Sequence, residues 1–474
     1  MQSIRIALGF GLFLVIAGSG AAQTPPVQPP EQKPLNPTQE IAKEQAEGPA
    51  LEAGPAKIRI GGYVGVHGIY RSTNSGGGVG TSFGSIPYED TVRGNVSEAR
   101  LSAQASRLSI RVDAEFPQDP QGPRFRRLSG YFEMDFAGST PGNIAVTTSG
   151  AGFRLRLAFA EVQYGETFFL AAGQAFSLMT APKDRLSLWP GDIELTQAVD
   201  LNYVAGMVWN RSPQLRLTWR PSKRFNWAAS VENPEQQLGS GVVTLPQCCA
   251  ADIDAQYNTG ADELRAPNLM PDFSTRVTYS PRNAIHIDAG GVLRVFRHTV
   301  APYDEDFKAT GGGVSVNARV NATPSTRVLG QVAVGSGMGR YIGGLVPDAA
   351  FSSDGSIRLI DTTSWVGGVE QTLTPRVSVA GYYSGVKAGD NYFTDLDGGF
   401  IGFGFPGSST SNNRTIREFT LTGANQIVRT PDRGSAQFNT QVSWLTREPW
   451  STPASGLSSA GSFMFLAQVR YNLP

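Results

Sequence analysis

Cysteine is nearly absent from this chain: there are two in 474 residues, adjacent at Cys248 and Cys249. That excludes a disulfide scaffold and a cysteine-rich metal site. The pair itself is compatible with a vicinal disulfide and equally with two thiols. An excess of either charge is absent as well, since 40 Lys+Arg balance 40 Asp+Glu. The basic surplus of a nucleic-acid binder or a polybasic membrane-surface protein is therefore missing. Charged residues make up 17% and hydrophobic residues 40%, which excludes both a disordered acidic chain and a helical membrane protein. Long hydrophobic runs are missing too. The longest, residues 6–17, holds twelve residues, short of the ~20 that a membrane-crossing helix needs. Lysine is scarce, at seven of the forty basic residues, so the positive charge of this chain is arginine.

The short apolar run has a use. Arg5 precedes it and Gly20-Ala21-Ala22 follows it, which is the layout of a cleaved secretory signal over residues 1–22. Residues 23–56 contain eight prolines and read as an extended periplasmic linker. One short helix is expected at residues 37–47, capped by Asn36 and started by Pro37. The remainder, 57–474, has a different rhythm.

From Ile58 onward the hydrophobic period is two. In residues 107–116, Leu108, Ile110, Val112, Ala114 and Phe116 share one face, against Arg107, Ser109, Arg111, Asp113 and Glu115. The next run repeats this, with Leu128, Phe132 and Phe136 against Ser129, Glu133 and Asp135. A strand with one apolar and one ionised face is half-buried, and no helix satisfies that pattern. Connections alternate in length. Short turns carry Pro with basic or polar residues, as at 221–224, 281–283, 374–376 and 431–433, while Gly/Ser/Asn-rich segments such as 233–272 and 335–360 separate them. So many long loops argue against a soluble domain and for a membrane barrel with loops on one side. The runs predict an all-β, 16-stranded antiparallel transmembrane β-barrel with short periplasmic turns and long extracellular loops. Aromatics at the strand ends, among them Tyr164, Phe168, Trp219, Tyr279, Tyr70, Phe176 and Trp444, suit two interfacial girdles.

At this point the chain resembles the DcaP-like trimeric porins of bacterial outer membranes. The stretches that carry the resemblance are RLSIRVDAEF (107–116), GYFEMDF (130–136), FRLRLAFAEVQY (153–164), FLAAGQAFSLM (169–179) and the ending VRYNLP (469–474). The resemblance implies a homotrimer of passive channels in the outer membrane of a Gram-negative bacterium, passing small, often dicarboxylate, solutes. Two features depart from the pattern. Residues 23–56 are Pro-rich where a helical coiled coil is common, and the chain ends on Pro474 where an aromatic is usual.

The inward face supplies the candidate site. If the strand phases hold, Arg107, Arg111, Arg154, Arg156, Arg216, Arg220 and Arg276 line a pore and bind anionic solutes, with Arg294 and Arg319 on the same face. Asp113, Glu115, Glu133, Asp135 and Asp288 share it, so a structural charge lattice is the competing expectation. A change of parity between residues 153–159 and 162–164 predicts a bulge in that strand. The third loop, 178–205, places Asp184, Arg185, Asp192 and Glu194 around Leu186, Leu188 and Trp189. That apolar interleaving predicts a loop folded into the lumen, with these four residues at a constriction.

Other motifs lack their context. Residues 80–84 match G-x-S-x-G without a strand-to-helix elbow. Gly402, Gly404 and Gly407 match G-x-G-x-x-G without a following helix. Asp395 and Asp397 lack the rest of a Ca²⁺ loop. No cofactor, metal or enzymatic activity is expected, and the expected partners are outer-membrane lipid and small anions. An adhesin whose loops sit on a plugged barrel is the main alternative, and an outer-membrane enzyme is a weaker one.

Overall fold

The computed structural model describes residues 49–117, 124–138, 152–239, 241–257, 270–302, 306–430, 433–453 and 455–474. The expected signal peptide, the helix at 37–47 and most of the linker lie outside these. The end of the linker belongs to the sheet, because Leu51–Ala53 pairs with the start of the first long strand.

Sixteen strands follow one another around the wall. They are β1 (Ala56–Arg71), β2 (Glu98–Ser102 continued by Arg107–Glu115), β3 (Phe125–Asp135), β4 (Arg154–Tyr164), β5 (Phe168–Phe176), β6 (Arg211–Trp219), β7 (Phe225–Glu232) and β8 (Asp272–Arg282). The second half comprises β9 (Ile285–Thr299), β10 (Asp306–Asn321), β11 (Thr326–Ser336), β12 (Asp361–Thr374), β13 (Val377–Ala388), β14 (Asn413–Thr430), β15 (Gly434–Pro449) and β16 (Ala460–Asn472). Each pairs antiparallel with its neighbours in sequence, and β16 pairs with β1 from Asn472 opposite Tyr63 to Met464 opposite Arg71. The sheet is thus a closed barrel, which leaves the wall without a free edge to satisfy.

The alternation read from the sequence is realised on the two faces. Ile110, Val112, Leu128, Phe132, Leu215 and Leu217 are exposed on the outside, whereas Ser109, Asp113, Ser129, Glu133, Gln214 and Arg216 are buried inside. Aromatic rings follow one another along the turn end: Phe116 meets Phe125 at 6.3 Å, Phe125 meets Tyr164 at 5.7 Å, and Phe168 meets Trp219 at 6.3 Å. Phe176, expected at the outer girdle, instead points inward and is 2% exposed.

The expected bulge exists, but it sits earlier than the parity count placed it. Glu133 pairs with Leu157 and Met134 with Leu155, so Arg156 is the extra residue of β4. An extra residue reverses the facing of everything beyond it. Leu157 and Phe159 therefore turn into the lumen and are buried there.

Among the loops that pack into that interior, two shape the lumen. The third, residues 177–210, lays Leu188 and Ile193 on Leu157, Phe159, Ala171 and Phe176. The first, residues 72–97, was not expected to fold in. It buries Val79, Phe83, Ile86 and Tyr88 in a cluster with Ile69, Leu445 and Met464.

The face assignment is testable by charge. Leu215→Arg, at mid-strand on the outer face, is expected to cost about 2–4 kcal/mol of barrel stability. Ser109→Asp, on the inner face beside Arg107 and Arg111, should leave it nearly unchanged. Denaturant titration of the detergent-folded protein measures both, and equal losses would reverse the two faces.

Candidate functional site: the narrowed lumen

A loop folded into a barrel carries backbone carbonyls away from water, and each needs a donor. Inward arginines of β6, β8 and β10, together with Arg220 just after β6, supply some of them, since a guanidinium offers five N–H groups in a fixed fork. Arg216 donates to the carbonyl of Phe176, and Arg220 to that of Leu186 at 3.2 Å. Arg276 donates to Leu178 and, at 2.7 Å, to Met179, while it is also paired with Asp288. Arg319 donates to Lys183. Arg216, Arg220 and Arg276 were expected to line a pore. The structure places them beneath the third loop, fully or nearly buried, where they hold it.

The loop's acids are spent in the same way. Asp192 accepts the N–H groups of Asp184 at 2.9 Å and Ser187 at 2.6 Å. Burial pushes its carboxyl above the usual carboxylate range, against the N–H groups of Ser187 and Arg185. Glu194 pairs with Arg319 at 2.5 Å and Arg327 at 3.5 Å. Burial opposes its charge, but Arg327 and Arg319 prevail and hold the carboxyl below its ordinary value. Asp184 and Arg185 are exposed. Further along, Asp200 accepts the N–H of Thr81 at 3.1 Å, which joins the first loop to the third. Gln441, Glu418 and Gln331 of the far wall take the N–H groups of Val199, Ala205 and Val208.

With the third loop fastened over β3–β15, open space remains against β1, β2 and β16. It is a cavity of about 580 Å³, lined on the wall side by Arg59, Tyr63, His67, Arg107, Arg111 and Arg470 among others. A second cavity of about 830 Å³ lies toward the loop end, with Arg447, Arg340 and Trp209 on its border. Opposite the arginines, the loop presents Trp189, Pro190, Leu195, Ala198, Leu201 and Tyr203, all half-buried.

The wall carries more cations than anions. Asp113 is shared by Arg59 at 3.1 Å and Arg111 at 2.6 Å. Asp135 is shared by Arg154 at 2.6 Å and Arg156 at 2.9 Å. Glu133 takes Arg156 at 2.7 Å, with Arg107 at 3.6 Å. Arg470 donates to Gln437 at 2.8 Å and has no carboxylate within 4.0 Å among the described residues. Tyr63 stands between two of these groups, its ring 5.5 Å from the Arg107 guanidinium and 5.1 Å from that of Arg470. Gly62, next to it, adopts φ +118°, and a Cβ there would strike the carbonyl oxygen of Arg107. Only glycine fits that approach.

Four of the seven expected lining arginines, Arg107, Arg111, Arg154 and Arg156, are thus on this inner wall. Arg59, Tyr63 and Arg470 were missed, although alternation in residues 58–70 and 463–473 marks all three as inward. The sequence signal that was absent is proximity. Arg470 comes opposite Gly65, and Tyr63 opposite Arg107, only because the last strand closes on the first.

The motifs set aside from the sequence have structural places. Cys248 and Cys249 are joined in a disulfide in the fourth loop. Asp395 and Asp397 hold Gln247 of that loop at 2.9 and 2.5 Å.

By sequence, no family model and no curated protein matches this chain. By structure, it is similar to the outer membrane channel DcaP of Acinetobacter baumannii, with a TM-score of 0.63, 16% identity, and coverage of 90% of this chain and 99% of that one. An anion-selective porin from Comamonas acidovorans follows at a TM-score of 0.49, 10% identity and coverage of 88% and 100%. OprB of Pseudomonas putida follows at 0.45, 10% and coverage of 87% and 94%. The fold of this protein is the sixteen-stranded barrel of the DcaP channel.

Proposed function

We propose that this protein is an outer-membrane porin, a passive diffusion channel for small hydrophilic solutes with a preference for anions, dicarboxylate-like ones among them. It works in the outer membrane of a Gram-negative bacterium, reached through a cleaved signal peptide, as a homotrimer, with its short turns facing the periplasm. The apolar outer belt, the polar interior and the infolded third loop support the pore reading.

One observation carries the anion preference. Among the described residues, the acids paired with Arg59, Arg107, Arg111, Arg154 and Arg156 on that wall are Asp113, Glu133 and Asp135, while Arg470 is bonded to Gln437. The two loop acids that border the cavity, Asp192 and Asp200, are already hydrogen-bonded. A guanidinium keeps its charge at every working pH and binds carboxylates with two parallel hydrogen bonds. A row of such groups, each partly neutralised, holds an anion weakly enough to release it to the next.

Two measurements in planar bilayers test this. In a salt gradient the reversal potential of the wild type should report anion preference, and Arg107→Gln with Arg470→Gln should move it toward cations. Arg154→Gln should move it less, because Arg154 shares Asp135 with Arg156. A cation-selective wild type would overturn the reading. Deleting residues 183–194 should raise single-channel conductance, since that segment occupies the lumen; unchanged conductance would remove the loop from the conduction path, and a silent wild type would favour an adhesin on a plugged barrel.

A further inference from the structure

The two sides of the 580 Å³ cavity differ in chemistry, and the difference selects among anions. We propose that it prefers organic anions with one carboxylate and an apolar body, the carboxylate held by Arg107 and Arg470 and the body lying on Trp189, Leu195 and Tyr203. This rests on the anion-pore reading and, within it, ranks dicarboxylates below monocarboxylates with an apolar body.

The polar half of the site is built around Tyr63. Arg107 and Arg470 approach its ring from two neighbouring strands. Glu133, the acid nearest to Arg107, lies 3.6 Å away and is bonded more closely to Arg156. The Nε of Arg107 is buried without a hydrogen-bond partner, and its side chain donates no hydrogen bond among the described residues, so the terminal nitrogens of this guanidinium have donor capacity to spare. A carboxylate between the two arginines satisfies both with charge-assisted hydrogen bonds.

The apolar half is held in place independently. Trp189 packs edge-on against Tyr131 at 5.4 Å and Phe159 at 5.3 Å, and the Arg111 guanidinium sits 4.1 Å over its ring. Tyr203 packs edge-on against Trp209 at 5.4 Å and keeps a left-handed φ of 64°, a backbone strain that a bulky residue carries only where its surroundings fix it. The charged groups on this side are engaged elsewhere: Asp192, Glu194 and Asp200 are bonded within the loops and to the wall, Lys183 donates to the carbonyl of Gly191 at 3.2 Å, and Arg327 pairs with Glu194 at 3.5 Å and with Glu370. A second carboxylate on a solute would therefore meet apolar groups and donors already engaged elsewhere, at a desolvation cost that is not fully repaid. An aliphatic or aromatic body gains there by leaving water.

Block of the chloride current by added anions tests this, with phenylacetate and succinate as probes at constant ionic strength and neutral pH. Phenylacetate should reach half-block at a concentration roughly tenfold below that of succinate, the ratio for about 1.4 kcal/mol. Trp189→Ala with Tyr203→Ala should erase that advantage while leaving succinate block in place. Leu195→Asn, which leaves both rings in position, should reduce it in part. Arg107→Gln with Arg470→Gln should weaken block by both anions. Equal or stronger block by succinate in the wild type overturns the proposal, as does an advantage that survives both loop variants. Cation selectivity in the reversal-potential experiment is a separate outcome, which overturns the anion reading itself.

Discussion

A backbone carbonyl taken out of water must receive a hydrogen bond, and the architecture of this barrel follows from how that demand is met. In the wall it is met by closure, since each strand pairs on both sides and β16 returns to β1. In the interior it is met by arginine. The third loop has little regular structure beyond one 3-10 turn at Pro190–Asp192, so many of its carbonyls lack a backbone donor, and Arg216, Arg220, Arg276 and Arg319 reach out from the wall to take some of them. Lysine brings three donors on a flexible stem and does not bridge two carbonyls and a carboxylate at once, as Arg276 does. The scarcity of lysine therefore has a structural sense on the inner wall, whatever its origin elsewhere in the chain.

The same demand divides the inward arginines into two groups with different work. Arg216, Arg220, Arg276 and Arg319 lie under the loop and are fixed by it. Those of β1, β2 and β16 border the open cavity across from the loop, with Arg111 touching it at Trp189. What decides the division is the course of the third loop, which is anchored by Leu188 and Ile193 on an apolar patch of the inner wall. That patch exists because the bulge at Arg156 turns Leu157 and Phe159 inward. A single extra residue in β4 thus determines where the loop lands, and the loop determines which arginines remain available.

Loop-to-loop contacts add a second layer. Asp200 ties the third loop to Thr81 of the first, and burial pushes its carboxyl upward against the donors of Thr81 and Asn202. No cation lies within 4.0 Å of it among the described residues. A charge kept in such a place is held by hydrogen bonds and by the field of Arg71, which is itself bonded to the Thr81 hydroxyl, and this makes the joint directional and sensitive to the loss of any one donor.

The sequence by itself determined the strands and their two faces, because a period of two admits no other local structure and because Pro-rich turns alternate with long polar loops. It also determined that the third loop would be buried, since Leu186, Leu188 and Trp189 among charged neighbours need an apolar surface. Tertiary structure alone decided the rest. The position of the bulge was not legible, as residues 157–160 are apolar on both parities until the facing wall is known. The infolding of the first loop was hidden in a Gly/Ser-rich stretch whose few apolar residues, Val79, Phe83 and Ile86, show no period. The role of each inward arginine was undetermined, because alternation gives a side chain its direction and says nothing of what lies in front of it. Arg276 and Arg470 look alike along the chain; one meets two carbonyls and a carboxylate, the other a tyrosine ring beside open space, and only closure of the barrel and the path of the third loop set them apart.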